Sequence, residues 1–502
     1  MSNGFSTERN PACSLPIQND SARAGAAMNR RAFFKCGTLL AGGCACCLPA
    51  GTLLAGSRTA LDRRLLSPGC RTSKVRIAKI YLGKHKAHWP TPKLDLNTER
   101  TKYEQFFQKN SRQFADVEFT VNELVTEKEQ VDALKSRLDG VDGVLLIHLS
   151  MGVREWVESI LGAGKPTVLF AAPYSGHEWA QFGQIREKDI GRHFDCLLTS
   201  DLSQLEAAVR PFRAIHHLRE AKILNLTTRQ PEAERLKYIA DKFGTQIVTL
   251  DLQTVLDAYN SIDPRAAEIE TRRWISEAQK VVEPPRKEIF DSCRLALAFE
   301  KVLDEEKATV LTVDCYGTMY QKLPAFPCVG FVRLNDMGFA GICESDLGCA
   351  LTFALFQGLA GRPGFISDPT LDESKNSIIL AHCLGTRKMD GPFGKAAPYR
   401  LRTIMERQEG VVPQVFMRIG QKVTQAIITR TDEIVYFTGT IVETPDTDRG
   451  CRTKITVKVD GNIQKLWHNW AHGLHRVTCY GDLTVDLARF CRFKDLKLTN
   501  EA

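Results

Sequence analysis

At 502 residues the chain is too long for one hydrophobic core, and two or three domains are expected. Its 43% hydrophobic and 25% charged content is that of a globular protein rather than a disordered or fibrous one. Of the formal charge of +8, residues 1–72 carry +6 (nine Lys/Arg against three Asp/Glu), so the remainder has no basic stripe suited to nucleic acid.

That excess lies in a leader. Met28 to Lys35 reads "MNRRAFFK", followed by the apolar, Gly-rich "CGTLLAGGCACCLPAGTLLAG". Arg30 and Arg31, a phenylalanine pair, a lysine and an apolar run match a twin-arginine export signal. Residues 1–27 are polar and read as disordered, which makes Met28 a candidate initiator. Pro49 and the glycines suit a signal h-region better than a membrane span. With no small-x-small cleavage site after it, an uncleaved anchor or a lipid anchor at Cys44 stays open. No later segment of the mature chain is long and apolar enough to span a bilayer. The expectation is export through the twin-arginine machinery to the periplasm, free or membrane-anchored. Six of the 16 cysteines fall in this leader. The other ten are scattered without a C-x-x-C pair, which reads as core packing rather than a zinc ribbon or disulfide framework.

From residue 74 short apolar runs alternate with helical periodicity. "KVRIAKIYL", "FADVEFTV", "VDGVLLIHL", "KPTVLFAAP" and "FDCLLTS" are strands, with helices such as "EKEQVDALKSRL" and "MGVREWVESILGAG" between them. This predicts a parallel sheet covered on both faces, a Rossmann-like domain over 73–218. "AKILNLTT", "TQIVTLDL" and "ATVLTVDCYGTMY" restart the rhythm as a second α/β domain over 219–358. Neither contains Gly-x-Gly-x-x-Gly or a Walker loop, so nucleotide binding is not supported. Over 359–502 the β-branched, alternating "KVTQAIITRTDEIVYFTGTIVETP" and "CRTKITVKVDG" predict a β-rich module, a small barrel, closed by the helix "DLTVDLARFCRF". The fold class is therefore α/β: two three-layer Rossmann-like domains followed by a β-rich C-terminal domain.

Four places carry candidate chemistry. Glu344 directly precedes "SDLGCALTFALFQGL", a helix that Ser345 or Asp346 can cap. Asp368 follows the strand-like "GFIS" and precedes Pro369, where it reads as the start of a turn. His382 ends the buried strand "SIILAHC", and polar residues at such strand ends line ligand crevices in α/β folds. Lastly, "LWHNWAHGLHRVTCYGD" gathers His468, His472 and His475 with Trp467 and Trp470, without the spacing of a zinc motif. Hydrolase signatures (a nucleophile elbow, HExxH) do not occur.

The ordered set "GFAGICESDLGCALTFAL", a second acid 24 residues on, an apolar strand ending in histidine, and "NWAHGLHRVTCYGDLTVDLARF" resembles the L-fucose isomerase and L-arabinose isomerase superfamily. The resemblance covers residues 308–502 best; the first domain agrees in layout only. It implies a metal-dependent aldose–ketose isomerase in which Glu344 and Asp368 hold a divalent cation, Mn2+ or Mg2+, and move the proton. His475 falls where the family has a metal-binding histidine. His382 falls on a further histidine ligand of the arabinose-type enzymes and, with Trp470 and His472, is expected to contact the sugar. The resemblance also implies a homo-oligomer, a trimer or hexamer. A second reading of the same residues is an exported, non-catalytic carbohydrate-binding protein on the isomerase fold.

The export signal yields a prediction: replacing Arg30 and Arg31 with lysine leaves the protein in the cytoplasm on fractionation, whereas the parent reaches the periplasm. Equal export of both would contradict the signal.

Overall fold

The computed structural model describes residues 73–502. The expected export signal and the rest of residues 1–72 lie outside the described residues.

The chain opens with β1 (Val75–Leu82), β2 (Val117–Val125), β3 (Gly143–His148), β4 (Thr167–Ala171) and β5 (Phe194–Leu198). They form a parallel sheet in the order β2-β1-β3-β4-β5. β3 is buried along its whole length, as expected of a strand covered on both faces. Val144 and Leu146 pack with Trp156 and Phe182 on one face, and Leu145 and Ile147 with Phe170 and Phe212 on the other.

Next come β6 (Lys222–Leu226), β7 (Gln246–Leu250), the two-residue β8 (Lys280–Val281), β9 (Val310–Val313) and β10 (Ala340–Cys343). Four of these make a second parallel sheet, β10-β9-β6-β7, which has a core on each face.

β11 (Phe365–Asp372), β12 (Ser377–His382), β13 (Tyr399–Arg402), β14 (Val412–Val415), β15 (Lys422–Ile428), β16 (Glu433–Glu443), β17 (Thr453–Val459), β18 (Arg476–Tyr480) and β19 (Lys497–Asn500) complete the chain. Six of them run β15-β18-β11-β12-β17-β16, and β15 pairs with β16 to close an antiparallel barrel. β19 adds in parallel to the outside of β16. A small sheet, β14-β13-β8, ties residues 280–281 to the C-terminal region. Two parallel-sheet cores and a β barrel thus agree with the sequence reading at that level.

One local reading is corrected. The turn expected at Asp368 is strand: β11 continues through Pro369 to Asp372, with Asp368 opposite Ala381 of β12. Proline lacks the N–H a ladder needs. The structure accommodates it because β18, the other neighbour of β11, pairs only with Phe365, Ile366 and Ser367, leaving the far side of Pro369 without a strand.

Three helices against the second sheet are pinned by buried charge. Glu270, on the helix Pro264–Glu277, accepts bonds from Arg333 Nη1 (2.8 Å), Trp274 Nε1 (2.8 Å) and Arg273. Arg333 sits on the helix Cys328–Asp336 and also binds Glu300 of the helix Arg286–Glu305 at 2.6 Å. Burial alone would raise the Glu270 carboxyl, but the Arg333 charge and the bonds from Arg273 and Trp274 bring it down to about 2. A carboxylate depressed in the folded state contributes stability above its unfolded value and loses it as pH falls through the folded one. Denaturant titrations should therefore show Glu270→Gln to be less stable at neutral pH, by roughly 3 kcal/mol at most. The gap should close as pH drops from about 4.5 towards 2.

Candidate active site

The helix Leu347–Ala360 organises the site. Its residues from Cys349 to Leu359 are all buried, so it is apolar on every side. Asp346 caps it, accepting from Cys349 N at 2.9 Å. Between the end of β10 and this cap only Glu344 and Ser345 remain, and both adopt left-handed backbone, with φ of 62° and 56°. Side-chain-bearing residues reach this region at a cost of about 1–3 kcal/mol each. Ser345 is held there by its N–H to Val313 O (3.2 Å) and by its hydroxyl on Asn225 at the end of β6. The turn puts Glu344 at the carboxyl edge of the second sheet, the edge where parallel α/β sheets bind ligands.

The barrel brings the other groups through strand register. β12, β11 and β18 are neighbours. Asp368 lies opposite Ala381, one residue before His382, while Ser367 lies opposite Arg476, one residue after His475. Two adjacent pairings therefore bring Asp368, His382 and His475 to one end of the barrel, facing Glu344.

His475 is the hub. Its Nδ1 is 2.9 Å from Asp346 Oδ2, and its Nε2 lies 3.2 Å from Asp368 Oδ1 and 3.7 Å from Glu344 Oε2. His382 Nε2 is 3.7 Å from Glu344 Oε1, and the two imidazole centroids are 5.7 Å apart. Although Nε2 of His475 and Oδ1 of Asp368 are close, they are not aligned to hydrogen-bond. Both are buried without a hydrogen-bond partner among the described residues, as are both ring nitrogens of His382. Glu344, His382 and His475 each offer an atom within 4.8 Å of the others.

The electrostatics follow from this packing. Burial raises the Glu344 carboxyl, opposed by His475 and reinforced by the charges of Asp368 and Asp346. Burial pushes Asp346 and Asp368 the same way, but their contacts with His475 hold both below the usual carboxylate value. His382, fully enclosed, is lowered to about 4 by burial and then by the neighbouring His475. His475 is raised to about 10: burial opposes this, but the hydrogen bond to Asp346 and the nearby carboxylates of Asp368 and Glu344 favour its protonated form. An excess of carboxylates over cations, with an imidazole that gives up its Nε2 proton as an ion binds, is a donor set suited to a divalent cation.

Sequence reasoning singled out Glu344, Asp368, His382 and His475, and these four are brought together. Trp470 and His472 have other neighbours. Trp470 receives the Arg476 guanidinium on its ring at 4.0 Å and packs on Phe437, while His472 Nε2 faces Glu433 at 3.8 Å. Arg476, fully buried, binds Glu501 at 2.6 Å and donates to His475 O at 2.8 Å, so Trp470 supports the turn that aims His475. Asp346 was noted in the sequence as a cap and missed as the partner of His475. A capping carboxylate uses one oxygen for the backbone and leaves the second free, the one signal that could have found it. Beside the site, Arg229, after β6, has Nε 3.1 Å from the buried Asp314 beyond β9.

No family model matches the chain. It is 24% identical over 276 residues to a sulfoquinovose isomerase of Alkalicoccus urumqiensis, over 51% of this chain and 58% of that protein. A sulfoquinovose isomerase of Priestia megaterium is 24% identical over 208 residues, 39% of this chain and 45% of the relative. One from Clostridium sp. (strain MSTE9) is 32% identical over 91 residues, 18% of this chain and 20% of the relative. The matched segments thus span little more than half, or less, of these proteins, and the similarity points to sugar isomerases.

The hub role of Asp346 is testable. Asn caps helices about as well as Asp, so Asp346→Asn isolates the charge. In chelator-treated protein, NMR titration should show the His475 midpoint falling from about 10 towards the ordinary histidine value. An unmoved midpoint would overturn that role and leave the shift to the carboxylates facing Nε2, Asp368 and Glu344.

Proposed function

We propose that the chain is a metal-dependent aldose–ketose sugar isomerase that moves a proton between C1 and C2 through an enediol, using Glu344 and Asp368. The supporting observation is the convergence of two carboxylates and two imidazoles whose inward atoms, Asp368 Oδ1, His382 Nε2 and His475 Nε2, are buried without hydrogen-bond partners. These atoms fit a divalent cation held by Glu344, Asp368 and His475 with His382 beside them, and oxygen-rich donors with imidazole favour Mn2+ or Mg2+. When bound, the cation supplies a Lewis acid for the adjacent sugar oxygens.

The rest falls to the chain's own residues. Glu344 and Asp368 stand on different elements around His475, so one can take the carbon-bound proton while the other exchanges a hydroxyl proton. Asp346 fixes the imidazole of His475 from behind.

The names of the relatives favour a sulfonated sugar. Arg235, in the first turn of the helix Ala233–Phe243 after β6, supports an anionic substrate. Its buried Nη1 has no hydrogen-bond partner among the described residues, and its guanidinium lies over the Tyr238 ring at 5.5 Å. Sulfoquinovose is accordingly the first substrate to try, followed by deoxyhexoses and pentoses of the L-fucose and L-arabinose type. In this reading the chain is exported by the signal at Arg30 and Arg31 and works in the periplasm as a homo-oligomer, a trimer or hexamer.

The test is isomerisation by manganese-loaded protein in deuterated water. An enediol path carries solvent deuterium into C1 or C2 of the product. Asp368→Asn, nearly isosteric, should fold normally and lose about 10² to 10⁴ in rate, the range for one positioned acid or base. A sugar that binds tightly with neither conversion nor exchange would replace this reading with that of a carbohydrate-binding protein.

A further inference from the structure

A second group of metal-ligating side chains lies beyond His382, on loops the reaction above does not use. Cys383 follows β12 directly. Glu406 lies between β13 and β14, and Cys451 between β16 and β17. Cys451 Sγ donates to Glu406 Oε1 at 3.1 Å, and Tyr316 Oη lies 3.7 Å from Cys383 Sγ and 3.4 Å from Glu406 Oε2. One ligand atom from each of Cys383, Glu406 and Cys451 falls within 4.8 Å of the other two. Tetrahedral zinc with thiolate bonds of about 2.3 Å holds its ligand atoms roughly 3.5 to 4 Å apart, so little movement is needed to close on an ion.

We propose that Cys383, Cys451 and Glu406 form a second metal site, selective for a thiophilic divalent cation of the zinc class and distinct from the carboxylate–imidazole centre. The donor sets separate the two: thiolates select zinc-like ions, whereas carboxylates with imidazole suit manganese or magnesium. Cys383 is buried at 5% exposure, Cys451 is half-buried and Glu406 is exposed, so an ion has an entry path and an anchored end. Binding displaces the two thiol protons to solvent, and the Tyr316 hydroxyl or a water takes the fourth position. The ion would tie three loops together at the end of β12, next to His382, and so fix the strand end that presents that imidazole.

Cobalt(II) tests this, because tetrahedral thiolate cobalt has intense visible and sulfur-to-metal bands, whereas an octahedral oxygen and imidazole centre absorbs weakly. The reduced full-length chain is titrated beside Cys451→Ser and Cys383→Ser. The six leader cysteines are common to all three and cancel in the difference. The expected result is one equivalent of thiolate-bound cobalt lost in each serine variant, retained in Asp368→Asn, and resistant to excess magnesium. Should both serine variants give the parent's spectrum equivalent for equivalent, the proposal is overturned. It is equally overturned if the difference band disappears in Asp368→Asn.

Discussion

The helix Leu347–Ala360 is the constraint on which the rest of the molecule depends. Its flanks pack against Ile223, Val310 and Ile342 of the second sheet, Ala214 and Leu218 of the helix Gln204–Glu220, and Ala426, Ile427 and Val477 of the barrel. Each large apolar side chain taken from water contributes about 1.5–3 kcal/mol, so a helix with no polar face is stable only where all three neighbours are in place. The approach is close: a Cβ on Gly358 would come within 2.4 Å of Ala214 Cα. Fixing the helix fixes its N-terminus, and with it the two left-handed residues that turn Glu344 into the crevice. The same helix abuts the barrel, so both halves of the site share one reference frame.

Around that frame the site is electrostatically unfinished. Three acidic side chains gather about His475, and the polar atoms aimed at their common centre have no hydrogen-bond partners among the described residues. A buried polar atom without a partner costs roughly 1–3 kcal/mol, and several at one point are unlike ordinary core packing. Two strained residues at the same place add to that cost. Such expense concentrated at one edge of a sheet is the mark of a place kept for binding rather than for stability. By contrast the buried charges elsewhere, Glu270 with Arg333 and Arg476 with Glu501, are matched pair by pair.

Much of this was legible in the chain. Alternation of apolar runs with helical periodicity determined two parallel-sheet cores, because strands buried on both faces must be continuously hydrophobic. Period-two alternation determined the β-rich end. The residue types at Glu344, His382 and His475, each at the boundary of a strong element, made them candidates, and the resemblance to the isomerase superfamily is what set them apart as one site. Asp368 was singled out only by what the resemblance implies, and its local reading as a turn was wrong. Nothing in "SDP" reveals that pairing with the neighbouring strand ends at Ser367, two residues before the proline.

Tertiary structure decided the rest. That Asp368, His382 and His475 meet depends on the antiparallel register of β12, β11 and β18, which is set by long-range pairing and carries no local signal. The second role of Asp346, and the contact of Trp470 with Arg476, depend on which side chain occupies the space beside each. Cys383, Glu406 and Cys451 have no recognisable spacing in the sequence and come within reach of one ion only when three loops meet at one end of the barrel. Periodicity records what a residue must bury and so can be read along the chain, whereas the partner that completes a charge or a coordination shell is chosen across it.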